Sequence, residues 1–306
     1  MSLNRRSLLK AGLAMAPLSH MLARPAAAAA RPLATRRIAA LDDALPVVGL
    51  GSWITFNVGN DAKLLDESTR VIGAFLDGGG RMIDSSPMYG SSQATIGYAL
   101  RKLGHPKTAF SADKVWTSST SNGPSQIEQS RRHWGVAQFD LMQVHNLVSW
   151  QGHLATLRQM KREGRLKAIG ITTSHGARHD ALEAIMRSEA LDFIQVTYNI
   201  GDREVENRIL PLAQDKGIGV IINRPFRRGA LVRQFGGQPL PAWVGDTGAK
   251  SWAQFLLKYV ISHPAVTCAI PATTRVDHVR ENLDAAKGDL PDAKLRQRMA
   301  DYVGQL

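Results

Sequence analysis

Asp84 and Tyr89 stand five residues apart in Arg81-Met82-Ile83-Asp84-Ser85-Ser86-Pro87-Met88-Tyr89-Gly90, where an apolar pair runs into an acid. Such a stretch reads as a strand that delivers an acid to its C-terminal end, with a phenol on the loop beyond. A second short apolar run carries Lys114, and a third ends on His145. Each residue alone has an ordinary explanation: an acid capping a turn, a half-buried aromatic, a surface lysine, a core histidine. Four titratable groups at three consecutive strand ends are harder to explain that way. A phenol with a reference pKa near ~10 donates a proton poorly at neutral pH. An adjacent ammonium favours the phenolate, so Lys114 is expected to lower the pKa of Tyr89. A carboxylate beside that ammonium holds it in place and offsets its desolvation. A histidine can orient or polarise a carbonyl oxygen. The set suits protonation of an oxyanion as a hydride reaches the attached carbon.

Positioning these groups requires strands that end together. Short apolar runs at 47–51, 82–84, 109–116, 139–144, 166–171, 193–197, 219–222 and 266–270 read as eight strands. Helical spacing follows at 64–76, 127–134, 153–162, 180–187, 204–214, 252–261, 276–286 and 292–303. Before them, two apolar runs flanking Asp42-Asp43 read as a hairpin. The alternation also fits a doubly wound sheet, but no G-x-G-x-x-G follows a strand. The count and even spacing favour a (β/α)8 TIM barrel with an N-terminal β-hairpin, whose site lies at the C-terminal strand ends. Segment 228–248, rich in glycine, reads as a long irregular loop.

The 306 residues carry a net charge of +12 and one cysteine, Cys268, which excludes an intramolecular disulfide and a cysteine metal cluster. Arg5, Arg6, Lys10 and Arg24 lie in residues 1–30, which hold no acid and leave +8 to the rest. The remaining cations are scattered rather than interleaved with aromatics, which argues against a nucleic-acid partner. Residues 1–30 combine a charged start, a mildly apolar run and an alanine tract at 26–30, the layout of an export signal too short to span a bilayer. Arg5-Arg6-Ser7-Leu8-Leu9-Lys10 resembles a twin-arginine signal. That resemblance implies passage through the twin-arginine export machinery to the bacterial periplasm, with no stable membrane insertion. Residues 31–306 would form the barrel.

From 36 to the last helix, the ordered set resembles the aldo-keto reductase family. It comprises Val48-Gly49-Leu50-Gly51-Ser52-Trp53, Ile83-Asp84-Ser85-Ser86, Tyr89-Gly90, Lys114, Gln143-Val144-His145, Gln195, Ile270-Pro271 and Arg280-Glu281-Asn282. The resemblance implies Tyr89 as general acid tuned by Lys114 and Asp84, with His145 polarising a carbonyl. It implies NADP (NAD being possible) as hydride source, bound without a Rossmann motif. The implied cofactor contacts are Gly51, Ser52, Trp53, Thr172, Thr173, Gln195, Asn223, Arg224, Ile270, Thr273, Arg275, Glu281 and Asn282. Among these, Gln195 would hold the carboxamide, Asn282 and Glu281 the adenine end, and Thr273 and Arg275 the 2′-phosphate.

The sequence departs from the family pattern at several places. Thr172-Thr173 replaces Ser-Asn, Asn223-Arg224-Pro225-Phe226 lacks the usual stacking aromatic, and Ala272 and His278 replace cations. A short connection after His145 implies an open pocket edged by Trp53, Trp150 and 228–248. The expected function is NADP(H)-dependent reduction of an aldehyde, ketone or sugar. One alternative is a non-catalytic periplasmic barrel that binds a nucleotide or other ligand. Another is a metal-dependent isomerase using His175 and His179, whose spacing would place both on one helix face.

Overall fold

The computed structural model describes residues 31–306, so the export-signal expectation lies outside the described residues. Strands β1 (Thr35–Ile38) and β2 (Asp43–Pro46) form the expected hairpin, with Thr35 opposite Pro46 and Ile38 opposite Asp43. Strand and helix then alternate: β3 (Leu50–Gly51), α1 (Ala62–Asp77), β4 (Met82–Asp84), α2 (Ser92–Lys102), β5 (Phe110–Val115) and α3 (Gly123–Trp134). Next come β6 (Phe139–Val144), α4 (Trp150–Arg162), β7 (Leu166–Thr172), α5 (His179–Ser188), β8 (Phe193–Thr197) and α6 (Ile209–Asp215). The chain ends with β9 (Gly219–Asn223), α7 (Ala230–Phe235), α8 (Trp252–Ile261), β10 (Cys268–Ala269), α9 (Val276–Ala285) and α10 (Ala293–Gly304). Strands β3 to β10 pair in order and in parallel. Bridges from Val48 to Ala269 and from Gly51 to Ala272 join the first strand to the last. The Gly49 N–H donates to the Ala269 carbonyl at 2.8 Å across that seam. The fold is the (β/α)8 barrel.

Period-two alternation explains how the barrel carries a site. On β4 the inward positions are Met82 then Asp84; on β5 they are Phe110, Ala112 and Lys114; on β6, Leu141 and Gln143, with His145 just beyond. On β8 they are Phe193, Gln195 and Thr197, and on β9 Ile221 and Asn223. Each inward row begins apolar and ends polar. The apolar ends pack with Ile38 and Leu45 of the hairpin and with Cys268 in one buried cluster. Arg81 clamps the hairpin from β4, donating to both Asp43 oxygens at 3.0 and 2.9 Å and to the Ala44 carbonyl at 2.7 Å. The N-terminal end of the barrel is thereby closed, and the polar end is left open. A second, larger apolar cluster lies between strands and helices.

Helix α2 is not among the expected helices, and three further stretches differ from expectation. The helix expected over 204–214 begins only at Ile209, after a single turn at Glu204–Glu206. Pro211 is the cause, because its ring tolerates the first turn of a helix but not its interior. Segment 228–248 is not irregular throughout, since α7 buries Leu231 and Phe235 one turn apart. His175 lies outside α5, which starts at His179, and has φ 68°. The two histidines therefore share no helix face, and no cluster of three metal-ligating side chains occurs among the described residues.

Candidate active site

Asp84 and Lys114 meet beneath the barrel mouth. The Lys114 ammonium, fully buried, donates to Asp84 Oδ2 at 2.5 Å and to the Ser85 carbonyl at 2.8 Å. Asp84 Oδ1 accepts from Gln195 Nε2 at 3.0 Å and from Gln143 Nε2 at 3.2 Å. A buried ion pair is tolerated when its remaining lone pairs are satisfied in this way. Burial opposes the Lys114 charge, but Asp84 and Tyr89 overcome it and hold Lys114 above the usual lysine range.

Tyr89 is set over this pair by local geometry. Ser86 accepts from the Met88 N–H at 3.2 Å, Pro87 starts a 3-10 turn, and Gly90 ends it at φ 60°. A Cβ on Gly90 would lie 2.3 Å from Asn57 Oδ1, so only glycine fits there. The Lys114 ammonium lies 5.3 Å from the centre of the Tyr89 ring. Burial raises the Tyr89 pKa and Lys114 lowers it, with a net upward direction. The expected lowering is thus outweighed by desolvation, and the phenol stays protonated. His145 meets Tyr89 edge-on at 5.8 Å between ring centres. Burial, then the Lys114 charge, pushes its pKa down to about 3, so it is neutral. Its Nδ1 lies 2.8 Å from Ser86 Oγ. With the Ser86 hydroxyl donating to Nδ1, the proton sits on Nε2, where it can donate to a carbonyl oxygen.

These groups open onto a cavity of about 540 Å³ that Asp84, Tyr89 and His145 line together. Gly51, Ser52, Trp53, Thr172, Thr173, Gln195, Asn223, Arg224, Ile270, Thr273, Glu281 and Asn282 also line it. Lys114 stands behind the wall, and Arg275 is not brought to it. Arg275 instead pairs with Asp277 at the start of α9, Nε donating to Oδ1 at 3.0 Å. An acid in the first turn of a helix is favoured by its dipole, and the arginine one turn out follows it. Trp150 packs against the helix-side core rather than the cavity. Trp116 takes a place near His145 instead, at 6.5 Å between ring centres.

The region 47–298 matches the family model described as "Aldo/keto reductase family". The chain belongs to the aldo/keto reductase family. It is 26% identical to the methylglyoxal reductase YeaE of Escherichia coli over 261 residues, covering 83% of this chain and 90% of that protein. It is 25% identical to the NADH-specific methylglyoxal reductase of Escherichia coli over 282 residues, covering 72% and 84%. Among solved structures, an aldo/keto reductase of Klebsiella pneumoniae in complex with NADP and acetate superimposes with a TM-score of 0.73 at 22% identity, covering 85% and 92%. The glycerol dehydrogenase of Gluconobacter oxydans gives a TM-score of 0.76 at 21% identity, covering 89% and 95%.

The cavity of this aldo/keto reductase fits a nicotinamide cofactor at one end better than at the other. Thr55 Oγ1 and Thr173 Oγ1 are buried without a hydrogen-bond partner, and both residues line the cavity. A buried hydroxyl left unpaired is costly, and a bound carboxamide would satisfy Thr173. Thr172 is less available, because its Oγ1 already accepts from the Asn146 N–H at 3.0 Å. Asn223 donates to the Thr173 carbonyl at 2.9 Å and accepts from Thr197 Oγ1 at 2.6 Å, so it braces the mouth. At the far end, the Glu281 carboxylate accepts from Ser251 Oγ at 2.5 Å, and Thr273 Oγ1 lies 3.3 Å from His278 Nδ1. Among the described residues no lysine lines that end.

The sequence assigns Ser86 no role, Arg228 only a place in the pocket-edging segment 228–248, and His175 only that of a metal ligand. Ser86 had a signal, since it lies between Asp84 and Tyr89. The place of Arg228 and His175 on this wall had no such signal, because the backbone at both is left-handed, at φ 57° and 68°.

Proposed function

We propose that this chain is an NADP(H)-dependent oxidoreductase that reduces the carbonyl of a small molecule, with Tyr89 as general acid. The reading rests on one arrangement: a buried Asp84–Lys114 pair beneath a protonated Tyr89, with neutral His145 beside it. The nicotinamide would supply the hydride. His145 Nε2–H would orient the carbonyl oxygen, and Tyr89 would give that oxygen its proton. Lys114 would stabilise the tyrosinate left behind, while Asp84 fixes Lys114 with two glutamine donors helping. Thr173 and Gln195 would hold the carboxamide, with Asn282 and Glu281 at the adenine end.

The methylglyoxal reductase relatives support a carbonyl substrate, and the NADP-bound Klebsiella neighbour supports NADP. The NADH-specific relative keeps NAD in view. For NADP, Arg275 at the start of α9 would have to turn from Asp277 to meet a 2′-phosphate. Titration with NADPH and NADH, followed by nicotinamide fluorescence, tests the cofactor; binding of neither would sink the redox reading. With cofactor bound, Tyr89→Phe should abolish carbonyl reduction and leave cofactor affinity within about threefold, since one hydroxyl lost from the chemistry removes the proton donor. Retained turnover would remove Tyr89 from its role.

Residues 1–30 support export to the periplasm by the twin-arginine route, on the strength of Arg5-Arg6 and the alanine tract. Replacing both arginines by lysine should leave the protein in the cytoplasmic fraction of its bacterial host. Unchanged periplasmic recovery would refute that route.

A further inference from the structure

His175, Arg224 and Arg228 form a cluster on the cavity wall that the proton chemistry above does not use. All three line the cavity that holds Tyr89 and His145. Arg224 Nη2 hydrogen-bonds His175 Nε2, and Arg228 Nη2 approaches the same nitrogen at 3.3 Å. On the other side of the ring, His175 Nδ1 lies 2.8 Å from Ser174 Oγ, which donates to Asn146 Oδ1 at 3.1 Å. That order fixes the tautomer. The Ser174 proton goes to Asn146, so Ser174 accepts from His175 Nδ1–H, and Nε2 keeps a lone pair for the guanidiniums. Burial and the two arginines disfavour a charge on His175, in keeping with its acceptor role.

Two like charges thus converge on one neutral acceptor. Neither Arg224 nor Arg228 has a carboxylate within 4.0 Å among the described residues. Burial, followed by the charge of Arg228, disfavours the Arg224 cation, while Tyr89 and, from beyond that distance, the Asp202 carboxylate favour it. Arg228 also stacks over the Trp53 ring at 4.0 Å, which fixes it on the opposite rim. The loop reaches this arrangement through left-handed backbone at Arg224, Arg227 and Arg228, with φ of 53°, 47° and 57°. Such backbone disfavours non-glycine residues and is kept where side chains must be aimed. The chain Arg224–His175–Ser174–Asn146 ends on the residue next to His145. A group held by Arg224 would share the cavity with Tyr89 and His145.

We propose that Arg224 and Arg228, braced by His175, bind the anionic group of the substrate, so that the enzyme reduces oxo acids in preference to neutral carbonyls. The proposal rests on the carbonyl-reductase reading and deepens it. A planar guanidinium recognises a carboxylate through paired hydrogen bonds, and a carboxylate removes the repulsion between the two arginines. In the reaction, the oxo carbon gains a hydride and is reduced, its oxygen takes the Tyr89 proton, and a hydroxy acid leaves. The nicotinamide is the species oxidised. The same cations could meet a phosphate of the cofactor, and the experiment separates the two.

Phenylglyoxylate and its methyl ester present the same ketone and differ in one charge. On the full-length protein with NADPH, kcat/KM should favour the acid, and Arg224→Met should cut the acid-to-ester ratio by roughly 10- to 100-fold, the loss of a charge-assisted hydrogen bond. Arg228→Met should lower the ratio less, and Arg224→Lys should restore part of it. Equal turnover of acid and ester by the unmodified protein would overturn the proposal and leave the reductase reading intact. So would an unchanged ratio in Arg224→Met accompanied by a like rise in the Kd for NADPH, which would assign the arginines to the cofactor. Calorimetric binding of phenylglyoxylate, which needs no turnover, is expected to weaken in Arg224→Met. That loss in a protein that reduces neither compound would support the anion site while refuting the redox reading.

Discussion

Lys114 is the residue on which the most terms converge. Removing it leaves Asp84, 2% exposed, served by two glutamine donors but no cation. Lys114→Met should therefore destabilise the fold by about 3–5 kcal/mol, the usual cost of orphaning one member of a buried pair. Urea denaturation measures this, and pairing it with Asp84→Asn should recover part of the loss. A Lys114→Met protein as stable as the parent would show that the charge is not needed to keep Asp84 buried. His145 carries a separate prediction. With a pKa pushed down to about 3, it stays neutral from pH 5 to 8. The profile of kcat/KM should show no inflection near 6.5 that disappears in His145→Gln. Asp84, Tyr89, Lys114 and His145 could be read from sequence because strand ends deliver them. The direction of the Tyr89 pKa could not, since it depends on how much water the folded cavity excludes.

Helices around the barrel show why some elements escape a reading by apolar spacing. The buried face of α2 holds Ser92, Gln93, Thr95, Ile96, Gly97, Ala99 and Leu100, mostly small or polar, so it presents no apolar stripe. Its role is close approach. A Cβ on Gly97 would lie 1.8 Å from the His133 carbonyl at the end of α3. Gly97→Ala must push two backbones apart and should cost about 2 kcal/mol or more, as overpacking does. A thermal or urea midpoint within error of the parent would contradict that contact. Strands β4, β6 and β8 match their expected limits, because inward and outward residues alternate cleanly there. The loop after β9 was opaque to the same logic: Arg224 and Arg228 are aimed by dihedral angles, and no spacing rule encodes those.

At the scale of the molecule, acid titration couples distant sites. Native pKa values of about 3 for His145 and about 4 for His263 lie below the ordinary value of 6.5. For His263 burial is the main cause, then the charge of Arg296. Between pH 6.5 and 4 the unfolded chain binds these two protons and the native chain does not, so stability falls on acidification. Asp113 opposes them. Burial raises its carboxyl from 3.8 to about 7, so the native state holds one extra proton over that window. For these three groups the net difference is one proton, a rise in stability of about 1.4 kcal/mol per pH unit from pH 4.5 to 6.5, and the lowered pKa of His175 acts in the same direction. His263→Gln should reduce the slope by about 1.4 kcal/mol per pH unit. A slope of opposite sign in the parent would refute the assignment.

The hairpin that seals the barrel floor also encloses Cys268, fully buried beside Ile38 and Leu45. Burial raises its thiol well above the usual range, so almost no thiolate exists in the native state. An oxidising compartment would find nothing to attack, and disulfide-linked dimers should not form while the protein stays folded. The same seal makes the thiol a clock. A colourless disulfide reagent that releases dye on reaction should label Cys268 only when the floor opens, so the labelling rate at saturating reagent would report how often the barrel comes apart.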